Sequence, residues 1–258
     1  MLFANDIIPT RNFNVLYIIL DSLFILSFLY LLFYKKRYVT LLWSLFGGIL
    51  YFIVDFGYFY LISGSRTIYI QNELQGPLMT GLVLLWMSLS YGITNFAYIF
   101  IFLNRDKHLK EWILLIIGWW LIVPTISSLG GEPTIITSRT TGQYHGAMAI
   151  ILLVGYFGLI LYNLMNKKGN KIPLLRLNLI GITVQFGWEF ALLINGIRPM
   201  NEASFMTLII NSLIETNLGM PYIFLLHKLI YRHYSEDLKH QKIKEINKEE
   251  LDKEVIKI

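Results

Sequence analysis

Seven long apolar segments dominate the chain, and short polar stretches separate them. Their approximate bounds are residues 14–34, 40–63, 77–103, 112–130, 145–165, 172–196 and 205–231. Each segment is close to the ~20 residues that a helix needs to cross a hydrocarbon layer of ~30 Å. The pattern predicts an all-α polytopic membrane protein, with a seven-helix transmembrane domain over residues 1–231 and a charged cytoplasmic tail over residues 232–258.

The basic residues predict how these helices are oriented. Lysine and arginine cluster within residues 35–37, 105–110 and 167–171, which follow the first, third and fifth apolar segments. The loops on the other side carry only Arg11, Arg66, Arg139 and Arg198. Cytoplasmic loops hold the excess of lysine and arginine, so we expect the N-terminus outside and the C-terminus in the cytoplasm. In a prokaryote, this would be the cytoplasmic membrane.

The amino-acid composition excludes several kinds of partner and catalytic site. The formal net charge of +5 is concentrated at helix ends, so it indicates membrane orientation and not a nucleic-acid partner. The chain has no cysteine, which excludes disulfides, thiolate metal sites and a cysteine nucleophile. The five histidines lie at helix ends and in the tail, so we expect neither a catalytic metal nor another cofactor. The oligomeric state stays open.

Four acidic residues interrupt the apolar segments. Asp21, Asp55, Glu189 and Glu215 each fall about 7 to 10 residues from the outer end of a segment, which is ~10–15 Å at a rise of ~1.5 Å per residue. An ionisable group at membrane depth is costly and is a functional candidate by default. We expect the four carboxyls to line one outward-leaning cavity; the alternative is four unrelated residues, each satisfied by a neighbour.

Amide side chains accompany the two glutamates. Gln185 and Asn211 lie one helical turn before Glu189 and Glu215, and Asn217 follows closely. These amides alone are typical of hydrogen bonds that join membrane helices, whereas an amide and a glutamate on each of two helices favour a site. Burial and a second nearby carboxyl disfavour the charged form, so we expect at least one of the two glutamates to be protonated.

The sequence also contains a weak internal similarity. Residues 55–66 resemble residues 188–198, and residues 88–100 resemble residues 212–224. Spans two and three would then match spans six and seven in the same direction, as a parallel repeat with a site between the halves. Chance similarity between apolar helices is the alternative.

The pair Gln185-x-x-x-Glu189 and Glu215-Thr216 resembles two membrane enzyme families. One is the emopamil-binding protein (EXPERA) group of sterol isomerases, which carry His-x-x-x-Glu and Glu-Thr on successive helices. Here Gln185 stands in place of that histidine. The other is the fungal meroterpenoid and indole-diterpene type of integral-membrane terpene cyclase, which has seven spans and a Trp-Glu-Phe-like helix similar to residues 188–190. The resemblance implies that buried acids protonate an isoprenoid or sterol-like lipid.

The residues predict an acid-lined, aromatic-walled cavity, and the resemblance implies that the protein is a cyclase or isomerase. The expected catalytic residues are Glu189, Glu215 and Asp55. The expected substrate-binding residues are Trp188, Gln185, Asn211, Asn217, Trp86 and Asp21. The alternatives are a small proton-coupled transporter or receptor for a cationic solute, and a non-catalytic membrane protein whose polar residues only join helices.

Overall fold

The computed structural model describes residues 10–140, 144–166 and 171–231. Within these ranges, seven helical spans are long and apolar enough to cross a membrane. They are Val15–Tyr34 (α1), Tyr38–Ile62 (α2), Pro77–Asn104 (α3), Leu109–Ser127 (α4), His145–Met165 (α5), Leu174–Ile194 (α6) and Ser204–Tyr231 (the last span). The prediction of seven apolar helices is confirmed, and most ends lie within three residues of the expected positions. The predicted tail, residues 232–258, lies outside the described residues.

Two of the spans depart from a regular α-helix. The second half of α2, Ile53–Ile62, has the wider turns of a π-helix. The last span begins as an α-helix, Glu202–Leu213 (α7), passes through a 3-10 turn at Asn217–Gly219 and continues as a helix over residues 220–231 (α8). Pro221 follows this break. A proline has no backbone N–H to donate, and its ring clashes with the carbonyl of the preceding helical turn, so it disfavours a regular helix there. The π-helical stretch contains Asp55, and the break between Leu213 and residue 220 contains Glu215.

A small sheet joins the loops at one end of the bundle, so the all-α prediction is incomplete. Its strands are Thr10–Asn14 (β1), Arg66–Ile70 (β2), Glu73–Leu74 (β3) and Thr134–Arg139 (β4). They run antiparallel in the order β1-β4-β2-β3. Threonine and isoleucine make up half or more of β2 and β4, and such β-branched residues suit a pleated, half-buried surface.

The helices pack around α3, which is the most buried span. Glycines allow α2 to approach it closely. A Cβ at Gly92 would lie 2.8 Å from backbone atoms of Gly47 and Gly48, and a Cβ at Gly47 would lie 2.4 Å from the Phe96 ring. On the other side, Trp119 of α4 stacks on Trp188 of α6, with ring centroids 5.5 Å apart. The core therefore lies between α3 and its neighbours, directly below the sheet.

The opposite end of the bundle carries the basic loops. There the Arg37 side chain donates to Asp106, with Nη2 and Oδ1 3.1 Å apart, which ties the α1–α2 loop to the α3–α4 loop. Of the third predicted basic cluster, Lys171 is described, and Lys167 and Lys168 lie outside the described residues. The outside position of the N-terminus and the parallel repeat stay predictions.

Candidate functional site

The sheet places three arginines on the face that covers the helices. Side chains alternate between the two faces of a strand, and Arg66 of β2 lies directly opposite Arg139 of β4. Arg11 of β1 lies opposite Thr137, two residues along β4 from Arg139, so it shares that face. Like charges directly opposite each other destabilise a sheet. The three guanidinium groups therefore need anions, and the helices below supply them.

Asp55 pairs with two of these arginines. Its Oδ2 lies 3.2 Å from Arg66 Nη2, and its Oδ1 lies 3.2 Å from Arg139 Nη1. The Tyr91 hydroxyl donates to the same carboxylate from α3. Asp55 stands in the first turn of the π-helical half of α2, a kind of irregularity that is frequent at functional sites. This carboxylate fastens the sheet to the bundle.

Glu189 is fully buried between two further guanidinium groups. Its Oε1 lies 2.8 Å from Arg11 Nη2, and its Oε2 lies 2.6 Å from Arg198 Nη2. The predicted amide neighbour is present, since Gln185 Nε2 donates to Oε1 at 3.3 Å. Two guanidinium partners stabilise the carboxylate. The expectation that Glu189 serves as a protonated acid therefore does not fit its surroundings.

Glu215 occupies the break in the last span. Its Oε1 lies 2.5 Å from Arg139 Nη2, and its side chain is 17% exposed. The next residue, Thr216, donates from its hydroxyl to Gln185 Oε1 at 2.8 Å. Gln185 thus links α6 to the broken helix, because its amide nitrogen contacts Glu189 and its oxygen accepts from Thr216. Gln185 and Thr216 thus connect the helix that carries Glu189 to the segment that carries Glu215, while the two carboxylates pair with different arginines.

The arginines stay charged in this setting. Burial lowers the pKa of Arg66 and of Arg198. At Arg11 and Arg139, burial alone would also lower the pKa, but the neighbouring glutamates outweigh it and raise the pKa above its ordinary value. The ion pairs fall into two groups. The group Glu215–Arg139–Asp55–Arg66 is formally neutral, and the group Arg11–Glu189–Arg198 carries one positive charge.

A polar cavity of about 200 Å³ lies between these groups. Its walls include the side chains of Arg11, Tyr51, Asp55, Tyr91, Arg139, Gln185, Trp188 and Glu215. Four predicted site residues therefore line one cavity: Asp55, Gln185, Trp188 and Glu215. Glu189 lies immediately behind its wall, in contact with Arg11 and Gln185.

A larger apolar cavity of about 320 Å³ adjoins the polar one. The two share Leu50, Tyr51, Glu215 and Leu218 as lining residues. The apolar cavity continues between α2, α3 and the last span, and its remaining walls include Trp43, Phe46, Phe96, Phe100, Tyr222 and Leu226. Phe46, Leu50, Tyr222 and Leu226 are also exposed on the outer surface of the helices. The apolar cavity thus opens sideways, toward the side of the bundle that would face lipid.

Asp21 does not belong to this site. Its carboxylate accepts from Trp86 Nε1 at 2.9 Å and from the Ser90 hydroxyl at 3.0 Å, in a separate contact between α1 and α3. Trp86 packs edge-on against Phe13 of β1. Neither Asp21 nor Trp86 lines the two cavities. The expectation of four carboxyls in one cavity is therefore wrong for Asp21, because a shared depth does not place two residues on the same side of a bundle.

The two predicted asparagines lie behind the site. Asn217 is buried, with Oδ1 3.4 Å from the Tyr156 hydroxyl and Nδ2 3.3 Å from the Ser212 carbonyl. Gly181 of α6 leaves room for the Asn217 side chain, since a Cβ at residue 181 would lie 2.2 Å from Asn217 Oδ1. Asn211 is buried, and its backbone carbonyl accepts from the Glu215 N–H at 3.0 Å. Both residues support the broken helix, and neither is among the lining residues of the two cavities.

The site residues that sequence reasoning missed are the four arginines, Arg11, Arg66, Arg139 and Arg198. One signal could have revealed the arginines. The loops at the sheet end of the bundle contain four arginines and no lysine, whereas the loops at the opposite end contain both. Orientation in the membrane needs only positive charge, but paired recognition of carboxylates favours the planar guanidinium fork.

Among the described residues, no group of three or more histidine, aspartate or glutamate side chains is placed to hold a metal ion. Comparisons with protein-family models, with curated proteins and with solved structures found no match to this chain. The function must therefore be argued from the cavities and the ion pairs.

Proposed function

We propose that this membrane protein binds an isoprenoid- or sterol-like lipid in the two adjoining cavities and acts on it by proton transfer at Glu215, as a cyclase or isomerase. The observation that carries the proposal is the position of Glu215, whose side chain lies on the wall of both the polar and the apolar cavity. The sideways opening supports a substrate that enters from the bilayer. The apolar cavity is also of the size usual for small-molecule sites, which is roughly 300–1,000 Å³.

Glu215 is also the acid whose protonation disturbs the ion pairs least. If Glu215 takes up a proton, Arg139 keeps Asp55 as its partner. Protonating Glu189 would instead leave both of its buried guanidinium partners without an anion, and an unpaired buried charge is strongly destabilising. We therefore assign proton exchange to Glu215 and assign Glu189 and Asp55 to holding the arginines.

The walls suit a reaction that passes through a carbocation. Aromatic faces stabilise a nearby cation, and Tyr51, Phe96 and Phe100 line the apolar cavity beside Glu215. A protonated Glu215 would give its proton to a double bond, and the carboxylate would take a proton back when the cation collapses. Such a cation survives only where water is excluded, and the mainly apolar lining of the larger cavity favours that exclusion.

The test is to purify wild type, Glu215→Gln and the control Glu202→Gln, and to identify bound and converted lipid by native mass spectrometry and lipid extraction. Glu202 is exposed at the start of α7. We expect Glu215→Gln to keep the lipid and to lose conversion by about 10²–10⁴-fold, the usual contribution of general acid–base catalysis. Conversion at the wild-type rate by Glu215→Gln would refute the assignment. The absence of bound lipid in all three proteins would refute the lipid site itself.

A second candidate function is that of a small proton-coupled transporter. The break in the last span at Glu215 favours it, since transporters bind substrates at interrupted membrane helices. This candidate predicts pH-coupled movement of a solute into proteoliposomes, with no change in the bonds of the solute. The same Glu215→Gln variant would then abolish coupling while leaving the solute chemically intact.

A further inference from the structure

We infer that the ligand of the two cavities carries an anionic head group, a phosphate or a carboxylate, which binds at Arg11 while its hydrocarbon part lies in the apolar cavity. The inference rests on the proposed function in one respect, namely that the cavities hold a lipid-like molecule. It adds the charge and the direction of that molecule.

The first argument is the charge of the ion-paired groups. Arg11 and Arg198 share the single carboxylate of Glu189, so this group carries one uncompensated positive charge. All three side chains are buried or nearly so, with 11% exposure at Arg11, 2% at Arg198 and none at Glu189. Buried charges in proteins are paired or neutralised. An anion bound beside Arg11 would complete the pairing.

The second argument is the donor capacity left on the cavity wall. Arg11 Nη2 donates to Glu189, but Arg11 Nη1 meets only the thioether of Met87 at 3.9 Å, and a thioether is a weak acceptor. The Arg11 guanidinium also lies 5.7 Å from the centre of the Tyr91 ring. An oxyanion beside Arg11 would meet a guanidinium group whose Nη1 now has only a weak acceptor.

The third argument is the order of the two cavities. The polar cavity contains Arg11, whereas the apolar cavity does not, and they meet at Tyr51 and Glu215. From that junction the apolar cavity runs between hydrocarbon and aromatic walls to the exposed rim at Phe46 and Leu226. These walls suit a molecule that has a polar group at one end, beside Arg11, and hydrocarbon along the rest. With its head at Arg11, its tail would point toward the sideways opening.

The test compares two probes that differ only in the head group, dodecyl phosphate and dodecanol, by quenching of intrinsic tryptophan fluorescence in detergent. We expect wild type to bind dodecyl phosphate at least about tenfold more tightly, the scale of one charge-assisted hydrogen bond. The variant Arg11→Gln should lose this preference and keep its affinity for dodecanol. It should also fold, because Arg198 still pairs with Glu189 when Arg11 is removed.

The control variant is Arg105→Gln, an exposed arginine at the opposite end of the bundle, which should retain the wild-type preference. The variant Arg11→Lys should keep part of the preference for dodecyl phosphate, because lysine retains the positive charge. It should lose the rest, because lysine lacks the paired donors of the planar guanidinium group. Inorganic phosphate should not displace dodecyl phosphate at matched concentration. If inorganic phosphate displaces dodecyl phosphate, the inference of an amphiphilic ligand is wrong, and the site binds a free anion.

Two outcomes separate this inference from the proposed function. Equal affinities of wild type for the two probes, or an undiminished preference in Arg11→Gln, would overturn the anionic head group while leaving a lipid site intact. Failure of wild type to bind either probe would count against the lipid site itself, and this inference would fall with it.

Discussion

The ion pairs of Glu189 make the sharpest prediction about stability. Replacing Glu189 with glutamine keeps the size of the side chain and removes the anion that Arg11 and Arg198 share. Breaking a buried ion pair by removing one partner costs about 3–5 kcal/mol, because the other charge is left uncompensated. Here two guanidinium groups lose their partner at once, so we expect the upper part of that range.

The expected change in melting temperature follows from that cost. A chain of this size loses about 2–4 °C per kcal/mol, so a cost of about 4–5 kcal/mol for Glu189→Gln should lower the Tm by about 8–20 °C. Thermal unfolding in detergent, followed by the fluorescence of the six tryptophans, measures this shift. The control is Glu202→Gln, whose exposed carboxylate lies at the start of α7 and whose Tm should change little.

A double variant tests the reason for the loss. Glu189→Gln combined with Arg198→Gln leaves one unpaired guanidinium instead of two, so its Tm should lie above that of Glu189→Gln alone. If Glu189→Gln melts within the range of Glu202→Gln, the buried ion pairs contribute nothing and the reasoning is wrong. If the double variant is less stable than the single one by the full additive amount, the two residues act independently.

Three further predictions concern other parts of the fold. Gly92→Ala should lower the free energy of unfolding by about 1–3 kcal/mol through overpacking, since the added Cβ would lie 2.8 Å from backbone atoms of α2. The control is Gly158→Ala on α5, where the added Cβ would face open space and the Tm should not fall. Burial raises the pKa of Asp106, but Arg37 outweighs it and lowers that pKa. The Tm advantage of wild type over Asp106→Asn should therefore be full at neutral pH and vanish as the pH falls through the lowered value. Asp55→Asn should speed amide hydrogen exchange across β2 and β4, because their facing arginines lose the shared carboxylate.

The sequence located the helices well because their signal is local. An apolar segment of sufficient length is visible without knowledge of its neighbours, and the expected span 14–34 differs from Val15–Tyr34 by one residue. The sheet was missed because most of its pairing is not local, although β2 and β3 form a hairpin with a two-residue turn. Thr10 of β1 pairs with Ser138 of β4, and no pattern within either segment indicates a partner that distant.

The same difference explains the outcome for the site. Glu189, Glu215 and Asp55 stand out as acids in apolar segments, and Gln185 could be placed beside Glu189 by counting one helical turn. Their arginine partners lie in loops, where an arginine alone indicates only membrane orientation. Depth could also be counted along each helix, but the direction in which a side chain faces around the bundle could not. For that reason Asp21 was grouped with acids that lie elsewhere.

The pairing between the sheet and the helices has a consequence for biogenesis. The arginines of β1, β2 and β4 precede α6 and the last span in the chain, whereas Glu189 and Glu215 are synthesised within those two spans. Arg11 therefore cannot pair with Glu189 until most of the protein has been synthesised. Arg139 can pair with Asp55 earlier, but it can pair with Glu215 only after the last span has been synthesised. Insertion of the final two helices is thus the step that completes charge pairing on this face. A ribosome-bound chain that ends before residue 189 should leave the Arg11 strand open to protease, and one extended through residue 231 should protect it.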